Sequence, residues 1–143
     1  MRFLAALAVL TFSVAVHAGS TMTVRNGSGS SIGKIDGDGT VRNGSGSSIG
    51  KIESGGTVRN GSGSSIGRVD SDGTIRGGSG SSIGKLDKDG TLRNSSGSSI
   101  GKLDGCTVRN ASGSSRGNFD GCSSSDRPAM AAYLFFFTPL HNQ

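Results

Sequence analysis

Six arginines, Arg25, Arg42, Arg59, Arg76, Arg93 and Arg109, recur at a near-constant interval along the chain. A row of guanidinium groups suits phosphate or carboxylate groups presented along a polymer, because each planar fork can take an oxyanion bidentately. A second basic row, Lys34, Lys51, Arg68, Lys85 and Lys102, keeps the same interval. So does an acidic row: Asp36, Glu53, Asp70, Asp87, Asp104 and Asp120. Two chemistries follow: a face for an anionic polymer, or local pairing between the rows. The modest net charge of +5 favours local pairing. Exposed pairs of this kind contribute only about 0–1 kcal/mol each. No aromatic residue interleaves the arginines, so no nucleic-acid partner is expected.

Other motifs weaken when their chemistry is checked. Ser28-Gly29-Ser30-Ser31-Ile32-Gly33-Lys34 resembles a phosphate loop, but its first position is not Gly and Ile35 stands where a metal-binding hydroxyl belongs. Asp36-Gly37-Asp38-Gly39 resembles part of a calcium loop, yet nothing downstream supplies the bidentate carboxylate of such a site. The threonine row (Thr23, Thr40, Thr57, Thr74, Thr91, Thr107) is explained by β-propensity. Asn26-Gly27-Ser28 matches a glycosylation sequon and also reads as a turn. Of two histidines, His17 falls in the leader described below and His141 lies near the end, so no serine has a base placed beside it. The chain therefore reads as neither an enzyme nor a holder of a metal or cofactor.

The elements that position these rows come from an internal repeat of 17 residues, starting at Thr23, Thr40, Thr57, Thr74, Thr91 and Thr107. A short fixed period marks one supersecondary unit, copied and stacked. Each unit offers two short strands, as at residues 31–35 and 40–43. Asp-Gly turns join them, and Asn-Gly-Ser-Gly-Ser turns lead to the next unit. Five whole hairpins are predicted, 31–43, 48–60, 65–77, 82–94 and 99–110, with a half-unit at each end. Pairing of the half-units would close a ring and remove exposed strand edges. Ile32 and Ile35 are three apart, so a β-bulge at Gly33 is expected to return both to one face. Val41 is expected to point inward, with Thr40 and Arg42 outward. The last unit degenerates, with Arg116 and Phe119 at the two isoleucine positions.

The register Asp38-Gly39-Thr40-Val41-Arg42-Asn43-Gly44-Ser45-Gly46-Ser47-Ser48-Ile49-Gly50-Lys51-Ile52 resembles the bacterial five-fold β-flower proteins. The resemblance covers roughly residues 23–122. It implies a small exported protein whose hairpins radiate about a central axis, and it implies no activity. The repeat starts six times here, against the five of the family name.

Residues 1–18 read as a secretory signal peptide. Arg2 gives a basic start, an apolar stretch follows, and Val16-His17-Ala18 fits a cleavage site after Ala18. Residues 19–122 then form the repeat domain, and 123–143 a polar break followed by an apolar C-terminal segment. Cys106 and Cys122 occupy equivalent places in successive units, so in an exported chain they are expected to form a disulfide.

The repeats hold little apolar material, about three aliphatic side chains per unit, and Gly-rich strands are costly to order. Pro128 opens an apolar segment containing Tyr133, Leu134, Phe135, Phe136 and Phe137, which Asp126 could cap as a short helix. This segment either folds onto the ring or plugs its axis, supplying the missing core. Otherwise it docks on a membrane surface or mediates self-association. The whole reads as an all-β, closed radial ring of hairpins with a non-catalytic structural or binding role in the periplasm, envelope or extracellular space. An anionic envelope polymer, a membrane surface and a second copy of the chain are the partners these features allow.

Overall fold

A computed structural model describes residues 19–143; the predicted signal peptide, residues 1–18, lies outside the described residues. Twelve strands follow in order: β1 (Met22–Asn26), β2 (Ser31–Ile35), β3 (Thr40–Asn43), β4 (Ser48–Ile52), β5 (Thr57–Asn60) and β6 (Ser65–Val69). They continue as β7 (Thr74–Gly77), β8 (Ser82–Leu86), β9 (Thr91–Asn94), β10 (Ser99–Asp104), β11 (Thr107–Asn110) and β12 (Ser115–Asp120). Each pairs antiparallel with its neighbours in sequence, and β1 pairs with β12 in the register Thr23↔Asp120, Val24↔Phe119. The end half-units therefore meet as expected and close a barrel of twelve strands, which is six hairpin petals and not five. Closure leaves no strand edge unpaired.

The turns at the two ends of the barrel differ in construction. At one end, Asp36 N–H donates to Thr40 O (2.8 Å) and Gly39 N–H to Asp36 O (2.9 Å). Gly39 adopts φ 92°, a left-handed conformation that suits glycine. At the other end, the Asn43 side chain organises a loop of five residues. Its Oδ1 accepts from Ser45 N–H (3.1 Å), Ser47 N–H (3.0 Å) and Ser45 Oγ (2.8 Å). Asn26, Asn60, Asn94 and Asn110 repeat the arrangement. Repetition of these local bonds explains why the period is so strict.

The bulge is present but lies one residue earlier than expected. Val41 faces Gly50 and Arg42 faces Ser48, so Ile49 is the extra residue. Gly33, Gly50, Gly67, Gly84, Gly101 and Gly117 consequently face the barrel interior and are buried. Ile32 and its equivalents are only half-buried at the margin of the core, while Ile35 and its equivalents are fully inside. The two isoleucines of a unit thus do not share a face. The reason lies on the axis, where the layer of glycines is occupied by other side chains. Val41 is buried and Thr40 and Arg42 face outward, as the alternation predicts.

Twelve strands enclose more space than their own side chains can fill, since a barrel of about eight is already filled by them. The C-terminal segment occupies that space. A 3₁₀ turn (Ser124–Asp126) leads into helix α1 (Arg127–Phe136), and a second 3₁₀ turn (Leu140–Asn142) ends the chain. Pro128 falls in the first turn of α1, where its missing N–H costs nothing. The Asp126 side chain makes no bond to the helix, so the expected cap is one of position only. Met130, Ala131, Ala132, Tyr133 and Leu134 are buried within the ring. The helix starts at the acidic-turn end, where Arg127 Nη1 donates to Lys88 O (3.0 Å), and runs towards the serine-loop end. No helix among the described residues is long and apolar enough to cross a membrane. The strands, of four to six residues, are about half the length that a membrane-crossing strand needs.

Candidate functional site

The outer face carries the charged rows. Each arginine of the row spans its petal. Arg42 Nε donates to Asp36 Oδ2 (2.7 Å), and its Nη1 donates to Gly46 O (3.1 Å). Arg59 takes Glu53 (2.7 Å), Arg76 takes Asp70 (2.7 Å), Arg93 takes Asp87 (2.6 Å) and Arg109 takes Asp104 (3.1 Å). Arg25 pairs with Asp120 on β12, so the same bond recurs across the closure. The geometry thus brings the arginine and acidic rows together. Each guanidinium is about 40% exposed and already uses two of its five N–H donors on its own petal.

The second basic row stands beside the first. Lys34 lies opposite Arg42, Lys51 opposite Arg59, Arg68 opposite Arg76, Lys85 opposite Arg93 and Lys102 opposite Arg109. Like charges across a strand pair repel. In two petals one carboxylate bridges both: Asp36 to Arg42 and Lys34 (3.4 Å), Asp70 to Arg76 and Arg68 (2.7 Å each). Among the described residues no carboxylate lies within ion-pair distance of Lys51, Lys85 or Lys102. Hydrogen bonds from Arg42, Arg76 and Arg25 hold the carboxyls of Asp36, Asp70 and Asp120 below their usual range. Asp38, Asp72 and Asp89 are lowered chiefly by the backbone N–H groups of Thr40, Thr74 and Thr91.

The inner face carries a different arrangement. Each of the six inward glycines receives one side chain of the C-terminal segment. Around the ring these are Tyr133 on Gly33, Phe137 on Gly50, Phe136 on Gly67, Phe135 on Gly84, His141 on Gly101 and Leu140 on Gly117. A β-carbon at any of the six would come within 3.0 Å of the side chain it faces. Glycine is required here because any side chain would occupy the seat. Phe119 meets Tyr133 edge-on, ring centroids 5.6 Å apart, which gives the degenerate last unit a use for its larger residue. Tyr133 is buried, and burial raises its phenol pKa. His141 is 3% exposed, stacks against Phe135 at 5.7 Å, and its buried Nδ1 has no partner. Burial lowers its pKa and keeps the imidazole neutral.

Of the predicted apolar contact residues, Tyr133 and Leu134 lie in the core, and Phe135, Phe136 and Phe137 pack against it half-buried. The glycine seats were missed in the sequence: the period of the glycines was visible, but it pointed only to a bulge. Cys106, in the short turn between β10 and β11, is disulfide-bonded to Cys122 after β12, with Cα atoms 5.8 Å apart. This ties the β10–β11 petal to the closing β12–β1 petal at the acidic-turn end. Among the described residues no three His, Cys, Asp or Glu side chains gather as metal ligands.

These features define a closed ring of antiparallel hairpins, charged outside and plugged along its axis by its own C-terminal segment. The model of the 5-fold beta-flower protein family matches residues 21–138, most of the chain. The chain belongs to that family, with six petals in place of five. The family is one of unknown function and is not known to contain enzymes. Neither a curated protein nor a solved structure matches the chain.

Proposed function

We propose that the protein is a non-catalytic exported scaffold with a structural or binding role in the cell envelope or outside the cell. The observation that carries this reading is that both faces of the ring are committed to its own architecture. The inner glycines hold the plug, and the outer arginines hold the turns. A closed, disulfide-linked ring presenting polar loops is suited to holding partners. The disulfide is compatible with an oxidising compartment.

A second reading is electrostatic binding of an anionic envelope polymer. Lys51, Lys85 and Lys102 favour it, since each stands beside an arginine whose carboxylate it does not share. Here the lysines recruit the polymer and Arg59, Arg93 and Arg109 contribute their remaining donors. Co-sedimentation of chain 19–143 with isolated envelopes at low and high salt tests both readings. Binding released by salt supports the polymer, because added ions compete with such contacts. Binding that survives salt supports a non-electrostatic envelope contact. No binding at either salt contradicts an envelope role.

A further inference from the structure

Asp126 is the most buried charged side chain among the described residues, at 6% exposed. An ionised carboxylate in such a place needs compensation. Its Oδ2 accepts from Ser123 N–H (2.8 Å) and Ser123 Oγ (2.9 Å). Among the described residues no Lys or Arg forms an ion pair with it. Its Oδ1 faces Gly19. A heavy atom attached to the Gly19 α-carbon in the side-chain direction would lie 3.1 Å from that oxygen. On its other side, the Gly19 carbonyl oxygen lies close to Gly37 of the first acidic turn, 2.7 Å from where a β-carbon there would sit.

We propose that signal-peptide removal creates an ionic lock, in which the new α-ammonium of Gly19 pairs with Asp126 and fastens the plug to the ring. The inference rests on the export reading, specifically on cleavage after Ala18. Hydrolysis of the Ala18–Gly19 peptide bond by a leader peptidase consumes one water. It leaves a carboxylate on Ala18 and a protonated amine on Gly19. Before cleavage that nitrogen is an uncharged amide tied to the leader. After cleavage it turns freely about the Cα–C bond. Glycine has no side chain to obstruct a turn that brings the nitrogen to the direction facing Oδ1. The pair joins the segment ahead of β1 to the residue just before α1, so it fastens the plug at the acidic-turn end of the barrel. An unprocessed chain lacks the pair and holds its plug less firmly, which suits a polypeptide that must stay loosely folded during export.

The test has two stages. The exported protein is isolated, and its first residue is read by intact mass and N-terminal sequencing. Unfolding in denaturant is then measured for four chains: starting at Gly19 or with one extra Ala ahead of it, each with Asp126 or Asp126→Asn. The extra residue displaces the ammonium. It is expected to reduce the folding equilibrium constant by roughly tenfold or more with Asp126, as for loss of a charge-assisted bond. It is expected to cost less than about twofold with Asp126→Asn, since the partner is then absent. Should Asp126→Asn fail to fold, Nα-acetylation of the Gly19 chain replaces it and is expected to reproduce the loss. A first residue other than Gly19 sinks the cleavage reading and the lock together. Gly19 as the first residue, with equal costs in both backgrounds or no cost of acetylation, sinks the lock alone.

Discussion

The outer and inner faces of the same twelve strands solve opposite problems. Outside, one set of bonds recurs. Every arginine of the row donates to a glycine carbonyl four residues on. Four of the six reach a carboxylate six residues back, while Arg109 reaches Asp104 five back and Arg25 reaches Asp120 across the closure. Except at the closure, the partners are close in sequence, so each unit carries its own set. Inside, six equivalent glycines face six side chains drawn from a single non-repeating segment. A symmetric ring is thereby filled by an asymmetric plug. The comparison separates what holds a petal from what holds the petals together. Outer pairs are exposed and individually weak. Inner contacts are buried, and the aromatic rings supply the apolar area the repeats lack.

The largest test of this contrast removes the plug. Deletion of residues 127–143 is expected to abolish cooperative unfolding, seen by circular dichroism during heating, because an empty barrel of this size has no core. Next is a pair of glycine substitutions in one petal. Gly67→Ala places a methyl against the Phe136 ring and Arg76 O, and should lower stability by about 1–3 kcal/mol or more. Gly78→Ala meets only ordinary contacts near 3.5 Å and should stay within about 0.5 kcal/mol. Denaturant unfolding distinguishes the two.

Acid should resolve the faces by pH. His141 titrates below its ordinary 6.5 because it is buried, so the folded state resists its protonation. The stability that depends on its neutrality is therefore lost as pH falls below that value. The outer carboxyls of Asp36, Asp70 and Asp120 titrate below their ordinary 3.8. Their contribution is full above 3.8 and is lost as pH falls towards the lowered values. Two separate losses are expected in thermal midpoints measured from pH 8 to 2, and His141→Leu should remove only the first. The smallest effect is that of Arg42→Ala, about 0–1 kcal/mol and diminished by added salt. A cost comparable to that of Gly67→Ala would overturn the contrast between the faces.

This difference also sets how much of the fold can be read from the sequence. The strands, the Asp-Gly turns, the ring closure and the disulfide were legible because each is marked by residues recurring at one interval. The pairing of Arg42 with Asp36 was legible for the same reason. The bulge was misplaced by one residue because Ile32 and Ile35 look equally fit for a core, and only the plug decides that Gly33 faces inward. The seats themselves leave a faint signal. Glycine presents no side chain to pattern, and its partners lie far along the chain in a segment without a repeat. Asp126 read as a helix cap, and its approach to Gly19 depends on the closed barrel.

The central claim is that consecutive aromatics of the plug sit on consecutive petals. Nuclear Overhauser contacts from glycine α-protons to aromatic ring protons test it most directly. The expected order is Gly50 to Phe137, Gly67 to Phe136 and Gly84 to Phe135, with Gly33 to Tyr133 on the adjoining petal. A different order, or glycine α-protons without aromatic contacts, would contradict it.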